Sequence, residues 1–305
     1  MGRKIWQKVF LYASFVKIEH SLFALPLAWA AAFLAGGGWP GKDKFGWITL
    51  GMVAARSAAL AVNRLADREI DALNPRTRHR ELPAGRITTR EARAFALASL
   101  ALLGLAAARL NPLCLKLYPL AVAAILVYPY AKRFTWTCHY WMIPAQFLGP
   151  FGGWIGVAGE VSLPPVILGL AVGLWIAGAD IIYSLQDLDF DRRHGIRSLP
   201  ARFGERAALS ASLLTHLLSL ALFLLFPISL REAKISTGPQ ATLGTGYLLA
   251  FLSVAILILW QHRAARQGDP SKLVAAFNAN LAVGPLLLAG VLLDLWGDSI
   301  ISFGG

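Results

Sequence analysis

VILGLAVGLWIAGADIIYSL, residues 166–185, is a stretch of 20 residues in which Asp180 is the only charged side chain. A helix of about 20 apolar residues spans the hydrocarbon core of a bilayer, which is about 30 Å thick. Directly after this stretch the chain becomes acidic, with QDLDFD at residues 186–191. The segment therefore predicts a membrane-spanning helix whose end carries a cluster of carboxylates.

Eight further apolar stretches have a similar length. They lie near residues 15–36, 46–65, 92–109, 113–130, 141–158, 206–228, 242–260 and 274–296. The 305 residues are 56% hydrophobic and 15% charged, with a mean hydropathy of +0.56, whereas soluble domains carry about 25% charged residues. The sequence therefore excludes an ordinary soluble domain. It predicts an all-α membrane protein in which nine transmembrane helices, forming one domain over residues 1–305, surround a central cavity open to the cytoplasm.

The positive charges are distributed unevenly between the connecting segments. If the N-terminus is cytoplasmic, 21 of the 29 Lys and Arg residues fall on the cytoplasmic side and six on the other side. This asymmetry follows the positive-inside rule and predicts a plasma-membrane protein with a cytoplasmic N-terminus. The net charge of +12 does not indicate nucleic-acid binding, because the basic residues lie between apolar runs rather than along one surface. The long connections at 66–91 and 186–205 are both cytoplasmic, so we expect chemistry on that side.

The first long connection opens within the motif NRLADREID, residues 63–71. In a helix, Asn63, Asp67 and Asp71 lie on one face because they are four residues apart. Oxygen ligands stacked in this way suit a hard cation such as Mg²⁺. The alternative is a solvated helix end at which the aspartates pair with neighbouring arginines.

The second long connection begins with a similar pattern. Asp187 and Asp191 share a helix face, and Tyr183 lies one turn before Asp187. Two acidic clusters at the ends of two membrane helices would repel each other across a narrow site unless cations lay between them. The two clusters therefore indicate two Mg²⁺ ions that hold a diphosphate.

Basic side chains near these motifs are candidates for direct binding of the diphosphate. Lys132 lies one turn after Tyr128, and we expect this pair to form a phosphate clamp that takes part in catalysis. Arg68, Arg80 and Arg197 are further candidates. The alternative for Tyr128 and Lys132 is interfacial anchoring, since Tyr, Trp and Lys gather at membrane boundaries.

Arg56 lies inside a membrane stretch, where an arginine costs at least about 2.5–3.5 kcal/mol and usually serves a site. It precedes Asn63 by seven residues, so it lies on nearly the same helix face, about 10 Å deeper. This distance accommodates a small aromatic acid with its carboxylate on Arg56 and its ring just below the metal ions. The alternative is a structural ion pair with Asp180 or Asp294.

These residues resemble the UbiA superfamily of intramembrane aromatic prenyltransferases. That family combines an Asn-x-x-x-Asp-x-x-x-Asp motif after the second helix with a second aspartate motif after the sixth. Its third signature, Tyr-x-x-x-Lys, is matched by Tyr128 and Lys132, so the resemblance covers essentially the whole chain. Arg64 stands where Asp is common in the family, so this position is not expected to contact metal. The NPRT at residues 74–77 is most similar to the 4-hydroxybenzoate polyprenyltransferase branch.

The resemblance implies Mg²⁺-dependent transfer of a polyprenyl group from its diphosphate to a ring carbon of an aromatic acid. The acceptor would be 4-hydroxybenzoate or a related dihydroxynaphthoate, and the product a precursor of ubiquinone or menaquinone. Arg56 falls where the benzoate-using members place their carboxylate-binding arginine, and Tyr183 completes the expected acceptor site. Asp191, or a phosphate oxygen, is expected to take the ring proton. Neither a nucleic-acid partner nor an obligate protein partner is expected.

Two alternatives remain open. A UbiA-type prenyltransferase with another acceptor fits the same motifs. A cation-coupled transporter would account for charged residues inside the membrane, such as Arg56, Asp180 and Asp294. It predicts inverted repeats, whereas the two acidic loops repeat in the same direction, and each reaches an Arg-x-Leu-Pro, at 80–83 and 197–200.

Overall fold

A computed structural model describes residues 2–233, 241–267 and 269–301. Within those ranges the chain forms α-helices and short 3₁₀ helices, without a strand. The α-helices are α1 (Gly2–Phe15), α2 (Ile18–Gly36), α3 (Lys42–Leu73), α4 (Thr89–Leu110), α5 (Pro112–Val127), α6 (Ile143–Ala158), α7 (Leu163–Ser184), α8 (Leu188–His194), α9 (Leu199–Phe203), α10 (Glu205–Glu232), α11 (Thr245–Ala265), α12 (Pro270–Ala279) and α13 (Val283–Ile301). The 3₁₀ helices are Tyr128–Arg133, Cys138–Met142, Leu185–Asp187 and Asn280–Ala282.

The described ranges contain seven segments that are long and apolar enough to cross a membrane. They are Lys42–Leu73, Thr89–Leu110, Pro112–Arg133, Leu163–His194, Glu205–Glu232, Thr245–Ala265 and Ser271–Gly297. The prediction of an all-α integral membrane protein is therefore confirmed. The stretches expected at 15–36 and 141–158 form the shorter helices α2 and α6, of 19 and 16 residues, and the count of nine transmembrane helices stays a prediction.

The helices pack in a closed ring. Going round the ring, the helices that pack side by side are α2, α3, α4, α5, α6, α7, α10, α11 and α13, and α13 packs back against α2. Helices α2 and α6 also pack against each other inside this ring. Gly153 permits this contact, because a Cβ at that position would overlap the carbonyl oxygen of Ala28. The outer surface exposes large apolar side chains, such as Leu97, Leu120 and Leu214, as a lipid-facing surface requires.

Local sequence signals set several helix boundaries. Thr88 and Glu91 form a capping box at the start of α4, in which each side chain bonds the backbone of the other. Asn111 caps α5 by accepting a hydrogen bond from the backbone of Cys114, and Pro112 occupies the first helical position. The span expected at 46–65 is part of the 32-residue helix α3. The first acidic motif therefore lies on a continuous helix and not in a loop.

Candidate active site

The first acidic motif consists of two buried carboxylates at the C-terminal end of α3. Asp67 is 3% exposed and Asp71 is 5% exposed. Nζ of Lys132 lies 2.5 Å from Oδ2 of Asp67, and Nη1 of Arg80 contacts both carboxylate oxygens of Asp71 at 2.8 and 2.9 Å. Buried carboxylates need such partners to offset the loss of hydration. Each carboxylate of this motif is therefore paired with a cation from outside α3.

The second motif lies where α7 gives way to the 3₁₀ turn Leu185–Asp187 and then to α8. Asp187 accepts hydrogen bonds from Nδ2 of Asn74 at 2.9 Å and from Nε of Arg76 at 3.0 Å, and a second Arg76 nitrogen completes a bidentate ion pair. Asp191 is 7% exposed and accepts a hydrogen bond from Oγ of Ser198 at 2.8 Å. None of the ion pairs among the described residues involves Asp191, so its direct partner is a hydroxyl group.

The loop of residues 74–87 joins the two motifs. It follows the first motif in sequence, but its residues Asn74 and Arg76 bind Asp187 of the second motif. A backbone hydrogen bond of 2.9 Å from the amide of Arg197 to the carbonyl oxygen of Lys132 adds a second connection. The structure therefore brings the two motifs together, as their chemistry predicts.

Glu81 anchors this loop from inside. It is buried, and Oγ of Ser14 in α1 donates a hydrogen bond of 2.6 Å to it. Burial disfavours the ionised carboxylate, but the hydrogen bonds from Ser14 and from its own backbone, together with the charges of Arg64 and Arg86, lower the pKa of Glu81. An ionised Glu81 therefore ties the loop to α1 at neutral pH.

The carboxylates have the chemistry to hold a divalent cation. Oδ1 of Asp67 is buried without a hydrogen-bond partner among the described residues, and Nη1 of Arg133 lies 4.0 Å from it, so its lone pairs can still accept a ligand. Carboxylate and amide oxygens are the donors that Mg²⁺ prefers. The predicted ligands fit this donor type: they are Asn63, Asp67, Asp71, Asp187 and Asp191.

The arrangement of these oxygens differs from the expectation in one respect. In the part of the chain that the structure describes, no three or more His, Cys, Asp or Glu side chains surround one common point. Instead, Lys132, Arg76 and Arg80 pair with the carboxylates. Cations do lie beside both clusters, and in this structure the chain itself supplies them.

Arg68 does not lie with the carboxylates, although the sequence predicted it as a diphosphate ligand. Its guanidinium contacts Glu69 at 3.0 Å and Oγ1 of Thr89 at 3.4 Å, and the side chain is exposed. The physical reason is helical geometry, because the residue after Asp67 points about 100° further around the helix.

Arg197 also points away from the carboxylates. Its Nη1 donates a hydrogen bond of 2.6 Å to the carbonyl oxygen of Phe134, while its backbone bonds the segment that carries Lys132. Arg197 therefore supports the backbone around Lys132, whereas Arg80 and Lys132 contact the aspartates of the first motif, and their role as diphosphate ligands stays a prediction.

A cavity of about 470 Å³ lies among α3, α4, α5 and α6. Its lining is mainly apolar and includes Met52, Leu103, Tyr118 and Phe147. Arg56 also lines the cavity, and its Nε is buried with no hydrogen-bond partner among the described residues. This guanidinium is therefore an unusual polar group in an apolar cavity.

The structural alternative for Arg56, an ion pair with a buried acid, does not hold. Asp180 is bound by Nδ1 of His139 at 2.7 Å. Asp294 accepts hydrogen bonds of 2.7–2.8 Å from the backbone amides of Gly244, Gly246 and Tyr247. Each acid has a different partner, and neither forms an ion pair with Arg56 among the described residues.

Tyr128 lies between the cavity and the carboxylates. Its hydroxyl donates a long hydrogen bond of 3.4 Å to a backbone carbonyl of α3 and lies beside the side chain of Asn63. It is also close enough to interact electrostatically with Arg56, Asp67 and Asp180. Tyr128 therefore links the deep arginine to the acidic motifs.

Tyr183, the second residue predicted for acceptor binding, has a different partner. Its hydroxyl accepts a hydrogen bond of 2.8 Å from Nη1 of Arg76, and its ring packs against Phe277 at 4.2 Å between centroids. Arg76 therefore bridges Tyr183 and Asp187. No sequence motif predicted this role, although Arg76 lies within the NPRT segment at residues 74–77.

Two further groups were missed. Arg64 is 6% exposed, and its Nη1 has no hydrogen-bond partner among the described residues. His139 is 3% exposed, and burial opposes its protonation, but its interactions with Asp180 and, second, with Cys138 raise the pKa of His139 to about 10. A contact of 3.5 Å from the backbone amide of Leu199 to Nε2 would favour a neutral ring. That contact is long and weak, so the short bond to Asp180 prevails and the two residues form an ion pair.

Comparison with protein families gives one match that covers most of the chain. Residues 23–284 match the model of the UbiA prenyltransferase family. Among curated proteins, a 4-hydroxybenzoate octaprenyltransferase of Sodalis glossinidius is 32% identical over 302 residues, which cover 95% of this chain and 96% of that protein. The enzyme of the same name from Vibrio campbellii is 28% identical over 299 residues, which cover 95% and 99%.

Solved structures give the same result. An apo UbiA homologue from Aeropyrum pernix K1 superimposes with a TM-score of 0.79 at 35% identity, and the match covers 91% of this chain and 98% of that one. A UbiA homologue from Archaeoglobus fulgidus bound to GPP and Mg²⁺ has a TM-score of 0.67 at 19% identity, with 93% and 99% covered. The second likeness shows that the two chains share a fold.

Proposed function

Because the chain belongs to the UbiA prenyltransferase family, we propose that it joins a polyprenyl group to a ring carbon of an aromatic acid. The chain is a polyprenyltransferase, and the names of its relatives support 4-hydroxybenzoate as the acceptor. A related dihydroxynaphthoate has the same carboxylate and hydroxyl groups. The donor is a polyprenyl diphosphate, and the whole chain, residues 1–305, acts as one catalytic domain in the synthesis of a lipoquinone precursor.

The buried Nε of Arg56, which has no hydrogen-bond partner among the described residues, is the single observation that carries this acceptor class. A buried nitrogen without a hydrogen-bond partner is costly, and a planar carboxylate satisfies a guanidinium group with two parallel hydrogen bonds. Arg56 lies eleven residues before Asp67 in α3, which is about 16 Å along the helix. An aromatic acid bound there would direct its ring toward the acidic motifs.

We assign the acidic motifs to two Mg²⁺ ions, one for each motif. The orphan Oδ1 of Asp67 and the all-oxygen donor set support this assignment. Bound metal ions would supply positive charge that stabilises the departing diphosphate. Asn63 and Asp71 complete the first ligand set, and Asp187 and Asp191 form the second.

Basic side chains now paired with the aspartates are well placed to change partners. Lys132, Arg80 and Arg76 each hold a carboxylate that we assign to metal. With these carboxylates bound to metal, the ammonium group of Lys132 and the guanidinium groups of Arg80 and Arg76 would be free to bind phosphate oxygens. Lys132 then stabilises charge on the leaving group, with Tyr128 one turn before it as a hydroxyl donor.

The apolar cavity serves the carbon chemistry. Loss of diphosphate produces an allylic cation, which water would quench, and the apolar walls around Tyr118 and Phe147 exclude water. The electron-rich ring attacks this cation, and the alkylated ring carbon then loses a proton. Asp191 and a phosphate oxygen are the acceptors that the sequence motifs offer for that proton.

The charge distribution supports a cytoplasmic active site and a cytoplasmic N-terminus in the plasma membrane. Cysteines introduced at Arg78 and at Lys42 test this orientation. A membrane-impermeant thiol reagent should label the first from the cytoplasm and the second from outside. Labelling of both from one side would contradict the orientation.

The decisive experiment supplies the purified protein in detergent with geranyl diphosphate, Mg²⁺ and a panel of hydroxybenzoates and dihydroxynaphthoates. We expect diphosphate release that depends on an acid and a prenylated acid detected by mass spectrometry. Acids whose carboxylate is replaced by a methyl ester are the matched control, because they cannot pair with Arg56. If the esters react as well as the acids, the aromatic-acid assignment is wrong and another acceptor class applies.

A further inference from the structure

His139 and Asp180 form an ion pair that the proposed mechanism has not yet used. Nδ1 of His139 lies 2.7 Å from Oδ2 of Asp180. His139 is buried in the 3₁₀ helix Cys138–Met142, whereas the side chain of Asp180 is 32% exposed. The carboxylate therefore has one oxygen held by the imidazole and an open side. An ionised group on an apolar membrane helix is costly and usually serves a site.

Asp180 lies at a depth between the metal-binding motifs and Arg56. It precedes Asp187 by seven residues along the end of α7, which corresponds to about 10 Å. Arg56 lies about 16 Å below Asp67 by the same measure. The hydroxyl of Tyr128 is within electrostatic reach of both Arg56 and Asp180. A ring that binds Arg56 by its carboxylate and points toward the diphosphate therefore passes the level of Asp180.

Asp191 is less suited to the ring proton. Its Oδ2 is occupied by the hydroxyl of Ser198, and its carboxylate is assigned to metal at the level of the diphosphate. A carboxylate that binds metal is drawn toward the ion rather than the ring. Asp180 carries neither commitment.

We propose that Asp180 accepts the ring proton of the aromatic acid, and that His139 is a positioning residue for Asp180. This assignment rests on the proposed aromatic prenyl transfer. In the step, the bond between the prenyl carbon and the diphosphate oxygen breaks, and a carbon–carbon bond forms to the ring. The electrons of the ring C–H bond then return to the ring, and the proton moves to the open oxygen of Asp180. After diphosphate leaves, Asp180 passes the proton to water.

Position matters more than basicity for this step. The alkylated, cationic ring is a strong acid, so a carboxylate of ordinary or low basicity can deprotonate it. The requirement is that the carboxylate stays ionised in an apolar environment and points at the ring. The imidazolium of His139 meets both needs, because it offsets the desolvation of Asp180 and fixes one of its oxygens.

The test compares Asp180→Asn with the wild type, using an acceptor deuterated at the ring carbons next to the hydroxyl group. We expect product formation to fall about 10²–10⁴-fold, the range for loss of a general base, with unchanged affinity for the prenyl diphosphate. Because proton loss becomes slow, a primary deuterium isotope effect should appear or increase in the variant. Asp189→Asn, which changes an exposed carboxylate in the same way, should leave both quantities unchanged.

Several results would overturn the proposal. The first is an unchanged isotope effect in Asp180→Asn. The second is a rise of the isotope effect in Asp191→Asn but not in Asp180→Asn. The third is a loss of both donor affinity and melting temperature in Asp180→Asn. If Asp180→Asn cannot be isolated from the membrane, Asp180→Glu replaces it. Its displaced carboxylate should also raise the isotope effect, and an unchanged value there refutes the assignment. A wild type that prenylates no acid would refute the proposed function itself.

His139 has its own readout. In His139→Ala the carboxylate of Asp180 loses the hydrogen bond that fixes one of its oxygens, so proton transfer should slow and the primary deuterium isotope effect should increase. The KM for the prenyl diphosphate should change little. An isotope effect equal to that of the wild type would mean that His139 does not position Asp180.

Discussion

The two acidic motifs have similar sequences but are built differently. Asp67 and Asp71 lie on one uninterrupted helix, and each is buried and bound by a cation. Asp187 lies in a 3₁₀ turn between two helices, and Asp191 follows in α8 with a hydroxyl partner. The first motif therefore has its geometry set by a continuous helix. The second motif depends on tertiary contacts for its geometry.

The loop at residues 74–87 supplies tertiary contacts that the second motif needs. Its residues Asn74 and Arg76 hold Asp187, so the segment after the first motif fixes the second. A charged residue also lies beneath each motif, Arg56 in α3 and Asp180 in α7. Below the first motif the site therefore has a positive charge, which suits a carboxylate. Below the second motif it has a negative charge, which suits a proton.

The largest effect should come from removing a carboxylate from either motif. Asp67→Asn and Asp187→Asn should each lower turnover by at least about 10²-fold, since the charge of the departing diphosphate would be less well stabilised. Chelation of metal by EDTA should have a similar effect, reversed by Mg²⁺. Turnover is measured as diphosphate release at saturating substrates.

Exposed acids next to each motif provide the controls for this comparison. Glu69→Gln beside the first motif and Asp189→Asn within the second change surface carboxylates, and both should keep normal turnover. Near-normal turnover in Asp67→Asn or in Asp187→Asn would mean that one motif suffices, and the two-metal assignment would fail.

A smaller effect should follow from Arg56→Ala, which removes the positive charge beneath the first motif. Loss of a charged hydrogen bond should weaken acceptor binding by about 1.5–3 kcal/mol, and the affinity for the prenyl diphosphate should be unchanged. Arg56→Lys should rescue poorly, because an ammonium group cannot form the two parallel bonds of a guanidinium. The measurement is separate binding of donor and acceptor, together with the melting temperature. Equal loss of both affinities would assign Arg56 to the fold.

The sequence predicted the parts of this molecule that depend on periodicity. The length of the apolar stretches predicted the helices, and the four-residue spacing predicted that Asp67 and Asp71 lie on one helix face. Arg80 contacts Asp71 nine residues before it, a distance that sequence proximity can predict. Lys132 was singled out by its pairing with Tyr128, and it contacts Asp67 across 65 residues. The helix ends were less well predicted, since α3 continues well beyond its apolar part.

Contacts between segments far apart in sequence could not be predicted in this way. Arg76 reaches Asp187 across 111 residues, and His139 reaches Asp180 across 41. No spacing rule encodes such pairs, because they depend on how the loop and helices pack. For the same reason Arg68 and Arg197 were predicted at the diphosphate, although their side chains bind Glu69 and Phe134.

The smallest effect should come from Ser198→Ala, which sharpens the comparison between the motifs. Ser198 is the direct partner of Asp191 and also caps the short helix α9. Residues that orient a metal ligand typically contribute about 10–100-fold to metal affinity. A neutral hydroxyl group orients Asp191 less strongly than a cation would, so we expect an effect at the lower end of that range. The Mg²⁺ concentration at half-maximal activity should rise about 10-fold. Ser210→Ala, an exposed serine on α10, is the control. An unchanged Mg²⁺ requirement in Ser198→Ala would mean that Asp191 needs no support for metal binding. The second motif would then not depend on tertiary contacts for its geometry, and the contrast with the first motif would be wrong.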